Sequence, residues 1–121
     1  VNDLTSKNFV GNVILAQLGG MRVLRLMLGA REVYALSAND TSPGGLQFSI
    51  PSNLSRPRIN KIVIRLNGSD LYDVDFLSIR RGKGGFTCKT VASDKDIFNS
   101  DLRACIERNT GLVLTMPRMF G

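Results

Sequence analysis

The chain has no histidine and no tryptophan, two cysteines, four prolines and only 7% aromatic residues. Without histidine it lacks the commonest general base, the commonest metal ligand and the usual partner of a nucleophilic serine or cysteine. Most ordinary catalytic constellations are thereby excluded, and no catalytic residue, resident metal or cofactor is expected. Cys88 lies in a strand-like segment and Cys105 in a helix-like one, and no basic start, apolar stretch and small-residue cleavage site precedes them. The default is an intracellular chain with reduced thiols buried as small core residues; the alternative is that the two meet in the fold. Apolar runs fall far short of the ~20 residues a membrane helix needs, so no membrane partner is expected. Acidic residues are few as well: ten Asp and Glu against sixteen Lys and Arg give a formal charge of +6. That balance favours an acidic partner and argues against a DNA mimic.

What is present is a basic residue on nearly every strand-like run. Arg22 and Arg25 sit in RVLRLML, Lys61 and Arg65 in KIVIRL, Arg80 and Arg81 at the end of YDVDFLSIRR, and Lys89 in FTCKTV. A sheet that repeatedly displays cations can follow a polyanionic backbone, because phosphates are matched by charge more than by side-chain shape.

With 121 residues the chain is the size of one domain, 1–121, able to bury a core without staples. Thr5 or Ser6 can cap a first helix in which Phe9, Val10, Val13, Ile14 and Leu18 recur at helical spacing until Gly19 and Gly20. From Met21, the alternation of Leu24, Leu26 and Leu28 with Val23, Arg25 and Met27 predicts a strand. Arg31 to Leu36 reads as a second extended piece, Ser37 to Gly45 as a loop, and Leu46, Phe48 and Ile50 as one face of a strand ending at Pro51. SNLSRPRIN, with Arg56 and Arg58 around Pro57, reads as a mobile basic loop. Ile62, Ile64 and Leu66 define the next strand, Asn67 to Asp70 a turn, and Tyr72, Val74 and Phe76 one face of the following strand.

RRGKGG, Arg80 to Gly85, is a hairpin tip with three cations, and Phe86, Cys88 and Thr90 continue on the return strand. Ser93 or Asp94 is expected to cap a closing helix with Phe98, Leu102, Cys105 and Ile106 as its apolar stripe, stopped at Asn109 to Gly111. Leu112 to Met116 suits an edge strand. The order implies an α+β domain: an antiparallel β-meander of about five strands, with an N-terminal helix and a C-terminal amphipathic helix packed on one face.

Three features invite chemistry. Asp70, Asp73 and Asp75 could gather around a divalent ion, against a bland reading as a solvated strand edge. GKGG has the wrong spacing for a nucleotide-cradling loop and leads into a strand, but Arg80, Arg81 and Lys83 could approach phosphates from its tip. Tyr34, Phe86 and Phe120 are the aromatics least required by a core stripe and could stack on bases, with core burial as the competing reading.

ILAQLGGMRVLRLMLGA, LQFSIP, VIRLNGSDLYDVDFLSIR and DLRACIERNTGL together resemble a group of small, largely uncharacterised proteins encoded by tailed bacteriophages and prophages. In that group a Q-L-G-G precedes an apolar strand, followed by L-x-F-x-[IL]-P and Y-x-V-x-F strands and a terminal helix ending in T-G-L. The resemblance covers most of residues 14 to 114 and supplies no catalytic residues. The terminal LVLTMPRMFG departs from it by being longer. In element order and charge, the chain is also similar to single-stranded DNA binders of the Whirly and transcriptional-coactivator type, which oligomerise and lay single strands across basic strands.

These resemblances imply a non-catalytic nucleic-acid binder, with single-stranded DNA the preferred partner, serving phage or mobile-element DNA replication or recombination in the cytoplasm of a bacterial host. Arg22, Arg25, Lys61 and Arg65 would contact phosphates from the sheet, with Arg56, Arg58, Arg80, Arg81, Lys83 and Lys89 extending the track. A homodimer or higher homo-oligomer would lengthen it. The alternative is a phage structural or protein-interaction module whose charge is incidental. Clustering of the named cations on one face would favour the first, and dispersal over all faces the second.

Overall fold

The computed structural model describes residues 9–37, 43–51 and 58–112. Helix α1 (Phe9–Gln17) leads into a second helical piece, α2 (Met21–Val23), which widens into a π-helical turn over Leu24–Leu28. Five strands follow: β1 (Arg31–Leu36), β2 (Gly44–Ser49), β3 (Lys61–Leu66), β4 (Tyr72–Gly82) and β5 (Gly85–Ile97). A 3-10 turn (Asn99–Asp101) then enters helix α3 (Leu102–Thr110). The strands form one antiparallel sheet in the order β1-β2-β3-β4-β5, so the domain is an α+β meander.

Strand register follows the alternation of apolar residues. Leu46 and Phe48 lie opposite Ile64 and Ile62, which lie opposite Val74 and Phe76, so these side chains share one face and are buried. Ile14 and Leu18 at the end of α1, Leu24 and Leu28 of the π-turn, and Leu102 and Ile106 of α3 complete the same core, each with no accessible surface. Full burial of such a side chain contributes about 1.5–3 kcal/mol. Arg103 Nε donates to the Gln17 carbonyl at 3.1 Å, tying α3 to the end of α1 on this side of the sheet.

The strand expected from Met21 to Leu28 is helical. Leu24 and Leu28 are buried, but Leu26 between them is 58% exposed, a spacing of four and not of two. Leu, Met and Arg are good helix formers, and only Val23 is β-branched, so local preference agrees with the helix. Gly29, at φ 68°, ends the turn by donating to the Arg25 carbonyl.

The closing helix also differs from expectation. Ser93 and Asp94 do not cap it, because β5 runs on to Ile97 and the helix begins at Leu102. Phe98, assigned to its apolar stripe, is 60% exposed. Two register shifts between β4 and β5 lengthen this strand, and Asp96 takes a positive φ of 57° near its end. There the Asp96 N–H donates to Asp73 Oδ1 and the Asp96 carboxylate accepts from Asn67 Nδ2, which pins β5 to the β3–β4 turn. Thr5, Ser6 and the stretch 113–116 lie outside the described residues.

Asp94 docks the last helix instead of capping it. Its Oδ2 accepts hydrogen bonds from Asn109 Nδ2 at 2.8 Å, Cys105 Sγ at 3.2 Å and Arg108 at 3.2 Å. The Asn109 bond, followed by the Cys105 bond, holds the carboxyl below its ordinary value of 3.8. A depressed folded-state pKa contributes stability that is present above the unfolded value and lost as pH falls through the folded one. Asp94→Asn is therefore expected to cost about 1–2 kcal/mol at pH 7. The gap should close as pH falls below 3.8, as followed by urea denaturation at both extremes. An unchanged gap at low pH would assign the loss to packing.

Candidate functional site

Both helical layers lie on one sheet face, and the other face carries Lys61, Val63 and Arg65 of β3 and Asp73, Asp75, Leu77 and Ile79 of β4. Arg65 stands directly opposite Asp73, and Val63 opposite Asp75. Asp73 also accepts from Asn67 Nδ2 at 3.1 Å, and Asp75 accepts from Ser93 Oγ at 2.6 Å. Acids thus interrupt the expected track along the sheet. Arg22 and Arg25 are exposed but belong to the helical segment, so they cannot reach a ligand from the sheet. Among the described residues no three acid or thiol side chains come together to hold a metal ion.

The cations do not share one face: Lys61 and Arg65 stand on the open face, whereas Arg80 and Lys89 alternate with Ile79 and Cys88 and lie with Ser78 on the helix side. Several of them nevertheless gather at one end of the sheet. Four shallow clefts run into one another there because they share walls. Arg25, Arg31 and Glu32 line the first; Arg31, Glu32, Asn60 and Lys61 line the second. Asn60, Arg58 and Arg80 line the third, and Arg58, Arg80 and Lys89 the fourth. Six cations therefore border a continuous rim in which Glu32 is the one carboxylate among the described residues. Among those residues, none of the six cations forms an ion pair. Arg65 and Arg22 lie off the rim, and Arg56 is outside the described residues.

The rim continues into a projecting arm. From Arg80 to Thr90 every residue of the β4–β5 hairpin is exposed, and no acid occurs between Phe76 and Ser93. Gly82 pairs with Gly85, leaving Lys83 and Gly84 at the tip. Arg81 and Phe86 face each other across the hairpin, with the guanidinium 6.0 Å from the ring centroid, at the limit of a cation–π contact. Phe86 is 74% exposed and Tyr34 56%, so neither ring serves the core; Phe120 lies outside the described residues.

The basic loop is anchored where it enters β3. Ile59 is fully buried, and the Asn60 side chain acts as a surrogate peptide, donating to the Ile79 carbonyl at 2.7 Å and accepting from the Ile79 N–H at 2.8 Å. Sequence reasoning missed this clamp, and it missed Arg31, because neither residue stands out from its neighbours in the chain. Only the meander brings positions 25, 31, 58, 61, 80 and 89 to one end.

The cysteines divide. Cys88 is exposed on the arm, contrary to its expected burial, while Cys105 is buried. Burial, followed by the adjacent Asp94 carboxylate, pushes the Cys105 thiol up to about 12, so it stays protonated and unreactive. No described helix is long and apolar enough to cross a membrane. Comparison with protein-family models, with curated proteins and with solved structures finds no match.

Proposed function

We propose that the chain is a non-catalytic nucleic-acid-binding protein that prefers single-stranded DNA and serves phage or mobile-element DNA replication or recombination. The observation that carries this reading is the continuous rim of Arg25, Arg31, Lys61, Arg58, Arg80 and Lys89, extended by Arg81 and Lys83 on the arm. Cations in file with a single acid among them match a phosphate backbone of uniform negative charge. Phe86, presented beside Arg81, supplies a ring on which a base can stack. The phage setting rests on the sequence resemblance. A homodimer or higher homo-oligomer formed through the outer edges of β1 and β5 would join two rims.

A protein-interaction module is the second reading, favoured by the half-buried Val63, Leu77 and Ile79 on the open sheet face, where acids and cations alternate. Fluorescence anisotropy of labelled single-stranded and duplex oligonucleotides at two salt concentrations separates the two. Tight single-strand binding is expected, with Arg80→Ala/Arg81→Ala/Lys83→Ala lowering the salt slope by about 2, at ~0.7 per phosphate contact. Arg22→Ala/Arg65→Ala, off the rim, should change it little. No binding at low salt would leave the protein-interaction reading.

A further inference from the structure

We propose that the cleft between Arg58, Arg80 and Lys89 is a binding site for a phosphate monoester, selecting a phosphorylated strand end over the interior of a strand. The cross-strand pairs Ser78–Lys89 and Arg80–Thr87 are adjacent on one face of the arm's base, which sets Arg80 and Lys89 diagonally with a hydroxyl beside each. Arg58 closes the cleft from the segment before β3, so three separate segments each contribute one cation to a space of about 360 Å³. No carboxylate lines it, and Val91 forms an apolar part of its wall.

The charge count decides the ligand class. A backbone diester carries one negative charge and is matched by one cation at a time, as along the rest of the rim. A monoester carries about −1.5 to −2 at pH 7 and three strong acceptor oxygens, which suits three cations and the Ser78 hydroxyl facing one space; the Thr87 hydroxyl donates to the Arg80 carbonyl at 3.4 Å. The backbone at Arg58 is constrained. It takes a left-handed φ of 59°, uncommon outside glycine, while buried Ile59 and the Asn60–Ile79 clamp fix the residues that follow. The site rests on the nucleic-acid reading for the source of its ligand. The same chemistry would also admit free phosphate.

The test uses the full chain and one oligonucleotide sequence made with a 5′-phosphate, a 3′-phosphate or hydroxyls at both ends. At pH 7.5 a phosphorylated end is expected to bind about tenfold tighter than the hydroxyl-ended strand, the worth of one added charge-assisted hydrogen bond. The ratio should fall toward one at pH 5, because the second phosphate pKa is about 6, and in Arg58→Gln and Lys89→Met at pH 7.5. Equal binding of all three strands at pH 7.5 would overturn the site and leave the nucleic-acid reading standing. Inorganic phosphate, titrated while amide NMR shifts are followed, distinguishes the sources. Saturable shifts at Ser78, Arg80 and Lys89 without any strand binding would support the site for free phosphate and overturn the nucleic-acid reading. Absence of both responses would overturn both.

Discussion

Gly45→Ala is expected to lower the thermal midpoint by about 10 °C or more. A Cβ at Gly45 would collide with the Ile64 carbonyl oxygen, and would lie 3.0 Å from Arg65 Cα and 3.1 Å from the Ile64 carbonyl carbon. These are backbone atoms of β3, so no rotamer change relieves the contact. Nor can β2 move aside, because α1 presses on the same place: a Cβ at Gly11 would fall 2.6 Å from Ala35 Cβ and 2.8 Å from the Gly45 carbonyl oxygen. Relief requires β2 to part from β3 or from the helix, at about 3 kcal/mol or more, in a fold whose total stability is on the order of 5–15 kcal/mol. Gly84→Ala at the arm tip meets nothing within 4 Å and serves as the control. Similar melting of the two variants in scanning calorimetry would show that the β2–β3 spacing is adjustable.

Asn60→Ala is expected to cost about 3 kcal/mol and to remove discrimination between phosphorylated and hydroxyl strand ends. The substitution strips partners from both the N–H and the carbonyl of Ile79, two part-buried backbone groups, each worth about 1–3 kcal/mol when left unsatisfied. Asn60 makes its contacts to Ile79 backbone and does not line the Arg58–Arg80–Lys89 cleft directly beside Lys89, so it acts as a positioning residue through Arg58. Its effects separate by experiment. Stability is read by urea denaturation, and end preference by anisotropy at a temperature where circular dichroism shows the variant folded. Asn60→Asp keeps the acceptor for the Ile79 N–H but sets an oxygen against the Ile79 carbonyl, so it should remain as unstable as the alanine variant or more so. A variant that is destabilised yet keeps its end preference would confine Asn60 to a structural role.

Much of the fold is legible in the chain because the sheet buries one face only. Ile62 and Ile64, Tyr72 to Phe76, and Leu46 and Phe48 alternate as a half-buried strand must, and the turn at Asn67 is fixed by its own side chain accepting from Ser69 and Leu71 N–H groups. Leu24, Leu26 and Leu28 show where this logic gives out. Three leucines at spacing two also contain a pair at spacing four, and the helix uses that pair. The Ser93–Asp96 stretch has the composition of a helix start, yet its carboxylates are taken up by Asn67, Cys105 and Asn109 and the Asp96 N–H by Asp73, contacts made from afar. The hairpin cations were readable locally. The rim was not, since it joins positions as far apart as 25 and 89 through strand order alone.

The unequal fates of the two thiols give the arm a built-in reporter. Cys88 stands exposed next to Lys89 and across from Ile79, whereas Cys105 is enclosed on the buried side of α3, its thiol pushed up to about 12. A maleimide dye added to the native chain will therefore couple at a single position, at the base of the arm between Thr87 and Lys89, with no engineered cysteine required. Occupancy of the arm becomes visible as a change in the emission of that dye, or as slowed alkylation when a ligand is already in place.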